Sequence, residues 1–177
     1  KVARLTKEAA GNDARLVAFP EAFVPTYPEW VWRTTPWADR EWYARFADQA
    51  VDVPGPACDA LATIAHENNV YLAIGVNERE DRRPGSLYNT LLVIGPDGVL
   101  HRHRKLMPTM HERVFHAVGA GDDLGVVELA GAVRVGGLIC WENRMPLARW
   151  RVYEGGPQIW LAPTADDSDG WLASVRH

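Results

Sequence analysis

Three reactive side chains, Glu21, Lys105 and Cys140, each follow or end a stretch that reads as a buried strand. Glu21 comes directly after Leu16-Val17-Ala18-Phe19-Pro20, Lys105 closes the run from Val99 to Arg104, and Cys140 closes the run from Val133 to Ile139. Together they make a chemical set. A cysteine sulfur attacks an electrophilic carbon, and a carboxylate takes the thiol proton and later activates water. An ammonium then steadies charge on the heteroatom of the attacked group, with the backbone N–H of Trp141 as a second donor. Each residue alone has a plainer fate, because lone cysteines are mostly inert core and glutamates or lysines mostly solvated surface. The neighbours of Cys140 argue otherwise: Glu142, Asn143 and Arg144 are not residues that seal a strand end into a core.

Such a set needs strand ends that share one edge of a sheet, where open α/β folds place their ligands. Val133 to Ile139, apolar apart from Arg134 and two glycines, reads as a strand covered on both faces. Pro146 opens a helix through Leu147, Trp150 and Val152 that ends at Gly155-Gly156. A thiol at that corner faces the partial positive charge of the helix, which favours thiolate. Upstream, the loop from Phe23 to Trp37 is too rich in Pro, Trp and Tyr for a plain surface connection and is expected to wall a pocket or pack on a partner. Asp39 to Ala50 reads as an amphipathic helix with Trp42, Tyr43, Phe46 and Ala50 on one face. Pro56 opens another helix that ends near Asn68-Asn69 and carries Cys58 as packing.

Val70 to Val76 reads as a strand and Arg79 to Gly85 as a charged loop. Leu87 to Ile94 and Val99 to Arg104 flank Gly95-Pro96-Asp97-Gly98, a hairpin signal. His101 and His103 share a face of the second strand and are expected to be exposed there, with no third metal ligand nearby. Glu112 follows Lys105 across Pro108, which turns the chain back so that the two approach. Val126 to Leu129 and Ala132 to Ile139 form a second hairpin, and Gln158 to Ala162 a last strand. After it Pro163-Thr164-Ala165-Asp166 leaves at the same edge as Cys140. The pattern is α/β, a mixed sheet with helices covering it.

At 177 residues the chain is one domain's worth, and 47% hydrophobic against 24% charged residues is ordinary for a globular protein. A net charge of -4 without a basic stripe argues against a nucleic-acid binder. Two cysteines make neither a disulfide framework nor a zinc spacing, so the cytoplasm is the expected compartment, with no metal and no cofactor. No apolar run is long enough to span a bilayer, and no signal peptide is expected. Lys1 to Ala10 has helical spacing with no N-cap before it, and a helical pattern from Trp171 stops at His177. Residues 1–177 therefore read as a single domain truncated at both termini.

Phe19-Pro20-Glu21-Ala22-Phe23, His103-Arg104-Lys105-Leu106-Met107-Pro108-Thr109 and Cys140-Trp141-Glu142-Asn143-Arg144-Met145-Pro146-Leu147, in that order, resemble the nitrilase (carbon–nitrogen hydrolase) superfamily. Trp141 and Glu142-Asn143 are similar to its nitrilase branch. The resemblance implies a four-layer αββα sandwich, with Glu21 as general base, Lys105 as cation and Cys140 as nucleophile. Glu112 then matches the second glutamate that positions Lys105 and the substrate, and Trp141 and Glu142 are expected in the oxyanion and substrate pocket. It also implies a small-molecule nitrile as substrate, hydrolysed to a carboxylic acid and ammonia, and a homo-oligomer, dimeric or spiral, in the full-length protein. The run Val114 to Asp123 departs from the family's tryptophan-glycine and Gly-Asp-Gly pattern, which bears on pocket shape. Other readings are an amidase or N-carbamoyl hydrolase of the same superfamily, a cyanide hydratase, an inactive truncated fragment, and a Cys–His hydrolase using His111 or His116.

Overall fold

The computed structural model of the chain describes residues 1–35, 37–38, 40–80 and 82–176. Helix α1 (Val2–Ala10) is followed by β1 (Leu16–Ala18), a 3-10 turn at Glu29–Trp32, α2 (Arg40–Asp48), β2 (Val51–Asp52) and α3 (Pro56–Asn68). Then come β3 (Tyr71–Glu80), β4 (Arg83–Gly95), β5 (Gly98–Arg104), β6 (Val126–Leu129), β7 (Val133–Gly137), α4 (Pro146–Tyr153), β8 (Ile159–Leu161) and α5 (Asp169–Arg176). The punctuation residues act where their chemistry dictates. Pro56 and Pro146 open α3 and α4, whose first turns need no N–H donor, and Asn69 closes α3 in the left-handed conformation.

The strands make two sheets, one ordered β1-β3-β4-β5 with β2 also on β3, the other β6-β7-β8. Alternation along the strands sorts their side chains into layers. Leu72, Ile74, Val76, Leu92 and Ile94 turn outward beneath Cys58, Leu61 and Ala65 of α3, with Val2 and Leu5 of α1 beside them. Ala73, Leu91 and Val93 turn the other way and meet Leu129, Val135 and Leu161 of the second sheet. On the far side of that sheet Leu138, Val126 and Trp160 are covered by Ala148 and Val152 of α4. Helix, sheet, sheet, helix is the four-layer α/β sandwich expected of the sequence.

Two local expectations need correction. The charged stretch from Arg79 to Gly85 is largely strand: β3 runs to Glu80 and β4 starts at Arg83, with Glu80 opposite Arg83, while Asp81 lies outside the described residues. Their charges are spent on partners, Arg79 on Asp52 at 2.9 Å through two nitrogens and Arg104 on Glu78 and Glu80, so the strands carry them without desolvating bare ions. His103 is not exposed but buried, for reasons taken up below. The helix expected from Asp39 begins at Arg40, Asp39 lying outside the described residues. On it Phe46 packs inward while Trp42 lies half exposed, its ring 6.3 Å from that of Trp30. Among the described residues no helix is long and apolar enough to cross a membrane.

Candidate active site

Strand direction brings the three reactive residues to one edge. β1 is parallel to β3, β4 antiparallel to β3 and β5 antiparallel to β4, so β1 and β5 end on the same side. Glu21 follows β1 and Lys105 follows β5, its N–H adding one more bond to the ladder through Asn89 O at 2.8 Å. The turn carrying Glu21 lies directly on β3, with Gly75 N–H donating to Pro20 O and Val24 N–H to Gly75 O. A Cβ at Gly75 would collide with Pro20 O and Ala22 N, so only glycine lets the turn lie this close. Cys140 comes three residues after β7, its N–H bonded to Pro163 O beyond the parallel strand β8 at 2.8 Å. It holds a left-handed φ of 49°, as does Ala22 beside Glu21. That conformation costs a non-glycine residue roughly 1–2 kcal/mol. Its recurrence at both corners marks a backbone shaped for side-chain placement, not for comfort.

Beneath the edge lies a buried ion cluster. Lys105 Nζ donates to Glu21 Oε1 at 2.7 Å and to Glu112 Oε2 at 2.8 Å, and all three side chains are at most 1% exposed. Burial would disfavour the ammonium, but the charges of Glu21 and Glu112 outweigh it and hold Lys105 above its ordinary range. The carboxylates are pinned in turn. Asn89 Nδ2 donates to Glu21 Oε1 at 2.8 Å and Ala165 N–H to Oε2 at 2.9 Å. Tyr27 O–H donates to Glu112 Oε1 at 3.0 Å and Thr109 N–H to Oε2 at 2.8 Å. Of the three N–H bonds an ammonium offers, Lys105 spends two on these carboxylates.

Cys140 and Trp141 open onto a cavity of about 340 Å³ that Glu21, Glu112, Tyr27 and Trp32 also line. The expectation that the sulfur rests as thiolate is not met. Burial and the charge of Glu21 push the Cys140 thiol up to about 12, against the smaller pull of Lys105 and of Thr164, whose hydroxyl donates to Sγ at 3.0 Å. The helix that was to favour the thiolate begins only at Pro146, beyond a 3-10 turn at Cys140–Arg144. Cys140 thus rests as a thiol beside a carboxylate, and any attack by its sulfur would require the proton to leave.

Glu142 is the second correction: it does not line the cavity. Its buried carboxylate accepts from Ile139 N–H at 2.7 Å, from Leu106 N–H at 2.5 Å and from His103 Nε2 at 3.0 Å. It therefore ties the Cys140 corner to the Lys105 corner from behind. His103 meets Asp123 Oδ1 through Nδ1 at 2.7 Å, and although burial opposes it, the two carboxylates raise His103 to about 9. Trp141 does line the cavity, its indole N–H on Asp166 Oδ2 at 2.8 Å and Arg144 stacked 4.3 Å from the ring centroid. The histidines of the Cys–His reading are occupied elsewhere. His116 is buried, bonded to Asn77 Oδ1 at 2.9 Å and pushed down to about 3 by burial and Lys105, and His111 packs edge-on against Trp32.

The residues that sequence reasoning passed over are Tyr27, Asn89, Thr164 and the pair His103–Asp123. Asn89 carried a usable signal, a polar residue inside an apolar strand run. Thr164 carried one too, being placed with Cys140 at the same sheet edge. Nothing in the sequence distinguished Tyr27 from the other aromatics of its loop.

Comparison with known proteins matches this architecture. A model of the carbon-nitrogen hydrolase family fits residues 1–175. An aliphatic nitrilase of Sinorhizobium fredii (strain HH103) is 42% identical over 183 residues, covering 100% of this chain and 58% of its own length. A bifunctional nitrilase/nitrile hydratase of Lupinus angustifolius is also 42% identical, covering 100% of this chain and 51% of its own. The chain thus spans a little over half the length of these curated relatives. Among solved structures, Saccharomyces cerevisiae Nit3, described as a member of branch 10 of the nitrilase superfamily, superposes with a TM-score of 0.73 at 19% identity, over 94% of this chain and 58% of its own. The amidase from Nesterenkonia sp. AN1, carrying an acetamide moiety covalently on its active-site cysteine, gives a TM-score of 0.68 at 19% identity, over 95% and 58%. At that identity the two structures speak to the fold.

Proposed function

The chain belongs to the carbon–nitrogen hydrolase family, and from that premise we propose that the protein it represents is a nitrilase, hydrolysing an organic nitrile to a carboxylic acid and ammonia. One observation carries this reading: a single buried ammonium bridges Glu21 and Glu112 behind a cavity onto which the Cys140 sulfur opens. The relatives at 42% identity named as nitrilases support the choice of substrate class. That residues 1–177 form a single domain is part of the same proposal.

The contacts support one sequence of steps. Glu21 takes the Cys140 proton as sulfur bonds to the nitrile carbon, and the proton passes to the nitrogen, leaving a thioimidate. Lys105 and the Trp141 N–H steady the nitrogen while it is negative. A first water, deprotonated by Glu21, adds to the thioimidate carbon; ammonia leaves and a thioester remains. A second water releases the acid and returns the proton to sulfur. If the first tetrahedral adduct expels sulfur instead of ammonia, the product is the amide. That outcome is a second reading favoured by the relatives named bifunctional nitrilase/nitrile hydratase.

Trp32, Trp141, Tyr27 and Met110 give the cavity aromatic and apolar walls, while Asp166, Asp167 and Glu29 add carboxylates and no wall residue adds a free cation among the described ones. These walls favour uncharged nitriles over anionic ones. Leu147 at 85% and Trp150 at 66% exposure on α4 support self-association of the whole protein, which sedimentation reads directly.

Ammonia release by the whole protein from a panel of neutral and anionic nitriles and the matching amides tests the function. Release from neutral nitriles, lost in Cys140→Ala, is expected. Release from amides alone would make the protein an amidase, and release from neither would leave the family fold without this chemistry.

A further inference from the structure

Strand β8 leaves the sheet beside β7, and beyond it the three residues from Pro163 to Ala165 all touch the reactive corner. Pro163 O accepts the Cys140 N–H, and Ala165 N–H donates to Glu21 Oε2 at 2.9 Å. Between them, Thr164 Oγ1 lies 3.0 Å from Cys140 Sγ. The same oxygen accepts the Asp166 N–H at 2.9 Å, which leaves the hydroxyl hydrogen directed at sulfur. We propose that Thr164 is a catalytic residue of this site, its hydroxyl donating to the Cys140 sulfur whenever negative charge gathers there.

The proposal deepens the nitrile-hydrolysis reading and rests on it for the reaction. Charge reaches the sulfur twice. In the first step the S–H bond breaks toward Glu21 while the S–C bond forms, so sulfur carries the departing proton's electron pair until that pair is shared with carbon. In the last step the C–S bond breaks, the pair returns to sulfur, and Glu21 gives the proton back. In the thioimidate and thioester between, the sulfur is neutral and a poor acceptor. A hydrogen bond from Thr164 is therefore stronger in both transition states than in the intermediates, which is the condition for accelerating a reaction and not merely binding. The other charged groups at the sulfur, Glu21 after β1 and Lys105 after β5, oppose one another. Thr164 is the neutral donor that tips a site in which burial already disfavours the thiolate.

The test is the rate profile of Cys140 alkylation by iodoacetamide between about pH 7 and 9 in the whole protein, read on the Cys140 peptide by mass spectrometry, with buried Cys58 as internal reference. Thr164→Val and Thr164→Ala should lower that profile about tenfold at every pH, the worth of a hydrogen bond to a charged group, and Thr164→Ser should restore it. Under turnover, kcat should fall about tenfold or more in the first two with KM little changed. Wild-type profiles in Val and Ala would overturn the proposal. Should both variants lose the fold, Cys58 becomes reactive, and a Ser profile displaced as far as theirs would overturn it instead. A shifted profile in a protein that turns over no nitrile would leave Thr164 assigned and the nitrilase reading refuted.

Discussion

The ammonium of Lys105 is the residue on which the others lean. It is fully buried, flanked by two carboxylates, and both contacts are shorter than 3 Å. Removing one partner of a buried ionic cluster strands the others in a low-dielectric site, at a cost of about 3–5 kcal/mol. Lys105→Met should therefore lower the unfolding free energy measured by urea titration by that much as well as abolish turnover. Adding Glu112→Gln to it should recover part of the stability, because one of the two stranded charges is gone, and none of the activity. A double variant less stable than Lys105→Met alone would contradict this account of the cluster. At this scale the sequence was informative about reactive types and poor about their partners. Glu21, Lys105 and Cys140 stand out by chemistry and position. Asn89, Tyr27 and Thr164 hold them by single hydrogen bonds from distant segments, and no local pattern encodes such a bond. The protonation state of Cys140 was misjudged for a related reason: the burial and the Glu21 charge that set it come from the folded neighbourhood.

Two short 3-10 turns deliver the elements to the site, and they are built alike. Glu112 folds back onto the Thr109 N–H and Glu142 onto the Ile139 N–H, each three residues on. One carboxylate then faces Lys105 and the other faces away toward His103. Sequence spacing shows the turn but not which side of the sheet edge its glutamate takes, which is why Glu142 was expected in the pocket. Its real task, joining the end of β5 to the end of β7 through His103, has a pH signature. The folded value of His103, about 9, lies above the unfolded value near 6.5. The folded protein holds the extra proton, so the stabilisation is complete below about pH 6.5 and is lost as pH rises toward 9. Its size is on the order of 3 kcal/mol. The Tm gap between wild type and His103→Gln should be widest near pH 6 and narrow steadily toward pH 9. A gap that is constant over this range would mean that His103 is neutral in the fold.

The whole molecule was the most legible level. Apolar runs, hairpin turns and helix-opening prolines located the principal strands and helices, since burial on both sheet faces writes itself into composition. What composition could not write is which charged segments pair. The β3–β4 hairpin reads as a loop until Asp52 and Arg104 are brought beside it from elsewhere in the chain. The layers matter for function because they fix direction: β1, β5, β7 and β8 each deliver their following residues to one edge, so the Glu21 carboxylate, the Lys105 ammonium, the Cys140 thiol and the Thr164 hydroxyl converge from distant segments.

The central claim is that Cys140 is the atom the substrate bonds to, and one measurement meets it directly. The whole protein is acid-quenched during turnover of a neutral nitrile, and its peptides are weighed. The account predicts a thioimidate or acyl adduct on the peptide bearing Cys140, absent from the Cys58 peptide and lost in Glu21→Gln, which has no carboxylate to take the thiol proton. Steady ammonia release with an unmodified Cys140, or with the adduct on another residue, would contradict it.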